Sequence, residues 1–489
     1  MTDSSARFEL EGVSISPDHY VDGARLASAT TFEDRSPLDW TRVLGHMARG
    51  DAGIANAALT SASKAFPSWA ALSCTARGEY LHRLAELIDE RSDQIARVEC
   101  LDMAMREESL RLRVIPRGAR NFRAYADLAV EYEERSWSSN NTDNRVIRMP
   151  CGPAVIITPW NAPFMLSTWK CAPALAAGNT VVLKPAEWSP LSASILADLI
   201  DEAGFPPGVF NIVQGIGEEI GAALVGDPRV RRVSFTGSPE TGRLIGMAAA
   251  RNLVPFTAEL GGKSPLIVFA DADIDAAAKK AAGQYDDAGQ VCLAGTRLLV
   301  EASVRDKFLE KFLAYTNEHV LGDSRDDNTT ISPVIHVDHL AQIDGFVQRA
   351  RRCGDNVMIG GKIWREGGLW YEPTLIEPVS NNSEIVQKEV FGPVLTLQSF
   401  DNEAQAIELA NSTPYGLAGM IYTTSAKRAD RVGRAVRAGT VWVNCFLIRD
   451  LSAPFGGTGI SGIGREGGDY ALDFHSDLKT LQVLQSSVS

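Results

Sequence analysis

Ala154-Val-Ile-Ile-Thr158-Pro-Trp160-Asn161-Ala-Pro163 runs as a short apolar strand and is then broken into a loop by proline. Such a run, bounded by turn residues, reads as a strand buried on both faces. A helix to about Ala177 leads from it to Thr180-Val-Val-Leu183, a second strand. Leu191 to Ala203 is helical, Val209-Phe-Asn-Ile-Val-Gln214 a strand and Glu218 to Val225 a helix. Val230-Arg-Arg-Val-Ser-Phe235 is again a strand, and Glu240 to Ala250 a helix. Strands alternating with helices through short connections predict βαβ units, hence an α/β protein with a parallel, doubly wound sheet.

Upstream, residues 1–50 are polar and mixed, an arm with short strands. Leu81, Leu84, Leu87 and Ile88 repeat at helical spacing, and Ser92-Asp93 resembles the cap of a further helix carrying Ile95 and Val98. Six arginines between Arg106 and Arg123 face only Glu107 and Glu108, which predicts a solvated helix face. Residues 131–150 contain Ser-Ser-Asn140-Asn141-Thr and read as a polar hairpin.

A chain of 489 residues, 45% apolar, is too long for one core and is expected to split into two or three domains. Its net charge of -13 argues against nucleic acid and against an anionic membrane surface as partners. No apolar run is long enough to span a bilayer, and the polar start does not read as a signal peptide. The seven cysteines are scattered singly, which suits a reduced, cytoplasmic chain, and the histidines have no metal-ligand spacing, so no metal is expected.

The turns carry chemistry. Gly215-Ile-Gly217-Glu-Glu-Ile-Gly221 and Thr236-Gly237-Ser238-Pro-Glu-Thr-Gly242 each join a strand to a helix. They suit either an anion at a helix N-terminus or close packing, since neither is the full dinucleotide fingerprint. Lys184-Pro-Ala-Glu187 ends a strand with a carboxylate, which in a dinucleotide site bonds a ribose and repels a 2′-phosphate, favouring NAD over NADP. Gln284-Tyr-Asp-Asp-Ala-Gly-Gln-Val-Cys292-Leu-Ala-Gly-Thr-Arg297 sets one cysteine between two glycines. A lone cysteine is as readily a small core hydrophobe as a nucleophile, and this stretch alone leaves both open.

Taken together, Ile157-Thr-Pro-Trp-Asn161, Asn179 to Glu187, Phe235-Thr-Gly-Ser238, Glu259-Leu-Gly-Gly-Lys-Ser-Pro265, Gly289-Gln-Val-Cys292, Glu389-Val-Phe-Gly-Pro393, Asn411 to Leu417, and Pro454-Phe-Gly-Gly457 with Ser461-Gly resemble the aldehyde dehydrogenase superfamily, in its hydrolytic NAD(P)-dependent form. The resemblance implies that family's fold. A Rossmann-like NAD-binding domain would come from 1–130 and 151–258, and an α/β catalytic domain from 259–470. A small β oligomerisation module would come from 131–150 and 471–489, serving a homodimer or homotetramer. It also implies Cys292 as nucleophile, Asn161 as oxyanion donor and Glu259 as general base, with Lys170 and Glu466 as a proton-relay pair. Cofactor contacts would come from Ile157, Thr158, Trp160, Lys184, Glu187, Gly217, Gly221, Phe235, Gly237, Ser238, Leu260, Glu389 and Phe391.

The chain departs from that pattern at Gly459, where a lysine is usual, and at Asp287, where asparagine is usual; Asp286 and Asp287 would raise the thiol pKa if they lay near the sulfur. Asn444-Cys-Phe446-Leu-Ile-Arg449-Asp450-Leu, with Ile115-Pro-Arg117-Gly and Asn121-Phe-Arg, is similar to dehydrogenases of muconic-type semialdehydes from aromatic ring cleavage. On that resemblance Arg449, with Arg117 or Arg120, would hold a substrate carboxylate beside Trp169 and Phe446. The alternatives are an uncharged aromatic or aliphatic aldehyde in a tunnel of Trp169, Phe164, Met165 and Phe446, or an inactive binding homologue.

Overall fold

The computed structural model describes residues 6–485. Residues 1–5 and 486–489, the ends of the expected N-terminal arm and oligomerisation tail, lie outside the described residues. Eight strands form the first sheet, in the order Gly462–Ile463, Phe256–Glu259, Arg232–Thr236, Pro153–Ile157, Thr180–Lys184, Phe210–Ile212, His19–Val21, Ala24–Leu26. The five from Phe256–Glu259 to Phe210–Ile212 are parallel, and the outer strands are antiparallel. Chain order reverses between Pro153–Ile157 and Arg232–Thr236, the place where open α/β sheets leave a crevice at their carboxyl ends.

The apolar runs explain why this sheet is buried on both faces. Ala154 and Ile156, with Val181 and Leu183, enter one core with helices Pro163–Ala176 and Leu191–Glu202. The alternating Val155, Ile157 and Val182 enter a second core with helix Ala52–Ala70 and residues of Pro239–Arg251. Successive side chains point to opposite faces, so one continuous apolar run feeds two layers.

A second sheet of seven strands runs Asn356–Ile359, Thr374–Glu377, Val394–Phe400, Arg297–Glu301, Pro265–Val268, Ala418–Tyr422, Thr440–Val443, parallel except for its first pair. A third, antiparallel sheet joins Arg135–Ser139 and Thr142–Pro150 to Ser476–Leu484. Its hairpin turns on Asn140 and Asn141, both left-handed at φ 51° and 59°, the paired conformation that a two-residue turn requires and that asparagine tolerates.

Three local expectations change. Helix Ser92–Met103 starts at Ser92 itself, after Arg91, with no side-chain cap, and the Ser92 hydroxyl is buried without a partner. The segment Gly217–Gly221 is a wide helical turn before the short helix Ala222–Val225. In the arginine run, Arg111, Arg113 and Arg120 face solvent, but Arg117, on helix Ile115–Glu131, is half-buried against Trp169. Among the described residues no helix is long and apolar enough to cross a membrane.

Candidate active site

Segments from both sheets converge at Cys292. The loop before it is held in an unusual path by three consecutive left-handed residues, Asp287, Ala288 and Gly289. At Gly289 a Cβ would lie 2.3 Å from the Gly392 carbonyl, so only glycine permits this approach to the Glu389–Pro393 segment. Gly262 is packed as tightly, since its Cβ would sit 2.5 Å from the Cys292 carbonyl. Gln290 anchors the loop, its side chain accepting from the Ile335 amide at 3.0 Å and donating to the Asp287 carbonyl at 3.2 Å. Asn161, at the end of strand Pro153–Ile157, donates its amide to the Gln290 carbonyl at 2.9 Å. That bond brings an amide donor to the Cys292 loop and leaves its second proton unassigned.

Burial pushes the Cys292 thiol up to about 12, the carboxylates of Glu389 and Glu259 add to the rise, and Arg449 opposes it. Asp286 and Asp287 are not the source. Asp287 is itself raised to about 6 by burial and by Asp286, with Arg113 and Arg106 opposing. Glu259 ends strand Phe256–Glu259, 5% exposed, and neither carboxylate oxygen has a hydrogen-bond partner. Burial, then the charge of Glu466, hold its carboxyl well above the usual range against Lys170, Arg465 and Arg449. A carboxyl raised in this way suits general-base work near neutral pH.

Lys170 and Glu466 form a short, buried ion pair. Lys170 also donates to the Ser234 hydroxyl at 3.0 Å and the Phe235 carbonyl at 3.2 Å, and Trp169 Nε1 donates to Glu466 at 2.7 Å. A buried ion pair is tolerated only when its remaining hydrogen-bond capacity is met, as it is here.

At the carboxyl ends of the first sheet, Lys184 donates to Glu187 at 2.7 Å, and the Cβ position of Gly217 lies 3.7 Å from the Lys184 ammonium and 3.9 Å from Glu187. Ser238 caps helix Pro239–Arg251, accepting from the Thr241 amide at 3.1 Å, and the Gly237 amide donates to the Glu259 carbonyl. The Phe235 ring covers Gly237, and Leu260 covers Gly242. Thr158 and Ile157 are buried at the strand end, with the Thr158 hydroxyl 3.1 Å from that of Ser167. Gly221 is buried, and a Cβ added there would meet nothing within 4 Å. Glu389 accepts from the Gly262 amide at 2.9 Å and is raised to about 7, chiefly by burial. Phe391, left-handed at φ 56°, meets Trp160 edge-on at 5.3 Å. The set fits a dinucleotide: a carboxylate held by lysine, glycine turns, a helix N-terminus and a second carboxylate across the crevice.

On the opposite side, Arg449 lies 5.6 Å and Arg117 5.4 Å from the Trp169 ring centre, and Arg449 stacks on Phe455 at 3.7 Å. Arg117 donates to Asn121 at 2.9 Å, and burial, with Arg449 and Arg120 adding, lowers it to about 10. Among the described residues neither guanidinium has a carboxylate ion pair. Asp450 accepts instead from the Ser452 amide and hydroxyl and makes no ion pair with Arg449. Arg120 is exposed and reaches this group only through its field on Arg117. Phe446 is half-buried, edge-on to Trp442 at 5.5 Å, whereas Phe164 is buried against Gly118 and lines no tunnel. Gly459 is left-handed at φ 60°, and a side chain there would strike the Pro414 carbonyl. Phe455 and Tyr125 were not anticipated; Phe455 lies inside the quoted Pro-Phe-Gly-Gly motif, while Tyr125, 5.9 Å from Trp169, leaves no sequence signal.

The aldehyde dehydrogenase family profile matches residues 25–481, and the chain belongs to that family. It is an NAD-dependent aldehyde oxidoreductase. It is 39% identical over 481 residues to the 2-hydroxymuconic semialdehyde dehydrogenase of Pseudomonas sp. (strain CF600), covering 95% of this chain and 99% of that one. With the 2-aminomuconic semialdehyde dehydrogenase of Danio rerio it shares 39% over 438 residues, 88% of this chain and 90% of that one. The P. syringae indole-3-acetaldehyde dehydrogenase AldA, solved with NAD+ and IAA, superimposes with a TM-score of 0.94 at 36% identity, over 97% of each chain. HpcC from Thermus thermophilus does so at 0.93 and 41%, over 96% of this chain and 93% of that one. The aldehyde dehydrogenase fold and the NAD cofactor therefore stand.

Because only thiolate is alkylated, the high thiol pKa sets a testable pH dependence. Iodoacetamide labelling of Cys292 in the cofactor-free protein should be slow at pH 7 and rise by about tenfold per pH unit up to pH 9. Peptide mass spectrometry reads the rate; a flat profile would mean that the thiol is not held protonated.

Proposed function

We propose that the chain oxidises a carboxylate-bearing semialdehyde to the corresponding acid by hydrolytic thioester chemistry. The observation that carries the substrate class is the pair of guanidiniums at Trp169, both partly desolvated and neither matched by a carboxylate. A substrate carboxylate supplies the missing charge through two parallel hydrogen bonds to Arg449, with Arg117 as second clamp. Arg120 is too exposed to share in the clamp. The similarity to two muconic-type semialdehyde dehydrogenases points the same way.

In this reading Cys292 loses its proton and attacks the aldehyde carbon, and Asn161 with the Cys292 amide holds the oxyanion. One such donor is typically worth about 3–4 kcal/mol of barrier. NAD, when bound, takes the hydride that converts the cysteine adduct to a thioester. Lys184, Glu187, Gly217 and Ser238 would hold one end of it, and Glu389 and Phe391 the other, with Trp160 alongside. Glu259 then removes a proton from water, which releases the acid, and the Lys170–Glu466 pair takes that proton on. The first sheet would carry the cofactor and the second the catalytic loop, while the hairpin 131–150 and the terminal strand would join copies of the chain. Exposed Trp137, Leu478 and Leu484 on those strands support that last assignment.

A second reading, an uncharged aromatic aldehyde, draws on the apolar side of the same surface, Trp169, Phe455 and Phe446. The two readings differ at Arg449→Ala. Holding a carboxylate predicts a loss of roughly 2–5 kcal/mol in kcat/KM on carboxylate-bearing semialdehydes and little change on benzaldehyde; equal losses on both would favour the second reading.

Glu259→Gln should release one equivalent of NADH and then stall with an acyl group on Cys292. Absence of that adduct in steady-state mass spectra would reverse the assigned order. With Glu187 beside the ribose, kcat/KM should be higher for NAD than for NADP, and parity would displace Glu187 from that position.

A further inference from the structure

The Lys170–Glu466 pair is enclosed, yet a proton taken from the hydrolytic water has to leave once per turnover. Lys170 has three protons, and all three are committed, to Glu466, to the Ser234 hydroxyl and to the Phe235 carbonyl. The Ser234 hydroxyl therefore accepts from Lys170 and spends its own proton on Glu466 Oε1 at 3.1 Å. Its remaining lone pair accepts from the Thr257 hydroxyl at 3.2 Å. Ser234 and Thr257 are directly opposite on neighbouring parallel strands, 1% and 2% exposed. Beyond Thr257 is a groove of about 310 Å³ lined by Thr257, Gly464, Arg465, Tyr470, Asp473 and Phe474. Gly464 keeps Thr257 at its wall, since a Cβ there, at φ 84°, would lie 2.7 Å from the threonine methyl.

We propose that Ser234 and Thr257 are the exit route for this proton, carrying it from Glu466 to water in the groove. The proposal rests on the hydrolytic reading above. In the resting arrangement both hydroxyls point toward the Glu466 carboxylate. When Glu466 receives the proton from Glu259 it becomes the donor, and the two hydroxyls reverse. The Glu466 O–H bond then breaks as a bond to Ser234 Oγ forms, the serine proton passes to Thr257 Oγ1, and the threonine proton passes to groove water. No charged hydroxyl persists when the transfers are concerted, and one proton leaves per acid formed. His475, which lines the same cavity as the pair, is fully buried and held down at about 3, chiefly by burial, so it stays neutral and takes no proton. Both hydroxyls act through Glu466 and touch neither substrate nor cofactor.

The consequence is kinetic and unlike that of losing the base. Thr257→Val keeps the shape and removes the hydroxyl, so the first turnover finds Glu259 free and later ones find it still protonated. Quench-flow should show acid product formed at the wild-type rate up to about one equivalent per site, then a steady state roughly tenfold slower, a smaller loss than removal of a general base brings. Thr257→Ser, which restores the hydroxyl, should run without that break. A steady state in Thr257→Val equal to wild type, a first turnover as slow as the rest, or equal slowing in Thr257→Ser would each overturn the route. Glu259→Gln, run alongside, separates the two claims, because failure of the hydrolytic reading appears there as a missing NADH burst or missing adduct whatever Thr257→Val does.

Discussion

Close backbone approach at Gly261, Gly262 and Gly289 is the constraint on which the site depends. The Cys292 loop and the Glu389 segment belong to the second sheet, and Glu259 ends a strand of the first. An added Cβ at Gly261 would fall 1.8 Å from Glu389, at Gly262 2.5 Å from the Cys292 carbonyl, and at Gly289 2.3 Å from the Gly392 carbonyl. At Gly262 and Gly289 the loops touch through main chain, where no rotamer change can relieve a clash. Arg297 locks the arrangement from behind. Fully buried, it donates to the carbonyls of Lys263, Leu409 and Ala410, so the strand that follows the Cys292 loop is bonded to the segment that follows Glu259. Five directed donors on one planar group make arginine suited to this, and lysine could not replace it.

Such packing excludes water, and the ionisations follow. Burial is the first cause of the raised pKa at Glu259, Glu389 and Cys292 alike, and like charge among the three is a further cause at the thiol. Arg449 is the cation opposing that rise at the sulfur. The free site therefore holds Cys292 as a thiol and the Glu259 carboxyl above its ordinary range. That state is unreactive toward stray electrophiles and depends on what binds to shift it.

The fold was legible in sequence wherever burial on both faces wrote an unbroken apolar run, as at Ala154–Thr158 and Thr180–Leu183. The hairpin was legible because Asn140 and Asn141 suit left-handed backbone. Local pattern failed where tertiary contact decides. Ser92-Asp93 has the composition of a cap, yet Ser92 is turned inward without a partner. Phe164, placed by sequence in a tunnel, is buried behind Gly118 because the helix turns it away. Asp286 and Asp287 are near Cys292 in sequence, but the charges acting on its sulfur come from Glu389, Glu259 and Arg449, remote in the chain. Arg117 shared a run with five other arginines, and although a motif resemblance named it with Arg120, its position on the helix facing Trp169 separates the two. Ser234 and Thr257 had no signal at all, since their relation is a register between two strands.

Trp169 joins the two halves of this chemistry. Its indole N–H donates to Glu466 of the buried ion pair, and Arg449 and Arg117 both lie against its ring. A guanidinium on an aromatic face gains about 0.5–2 kcal/mol, but two of them repel each other, and Arg449 adds to the lowering that burial chiefly imposes on Arg117. Ring contact offsets part of that repulsion and of the lost hydration, and an uncharged ligand would offset none of what is left. A carboxylate between the arginines offsets both. On the proposed reading the arrangement is costly when empty and relaxed when an anion fills it, the form expected of a site for acidic substrates.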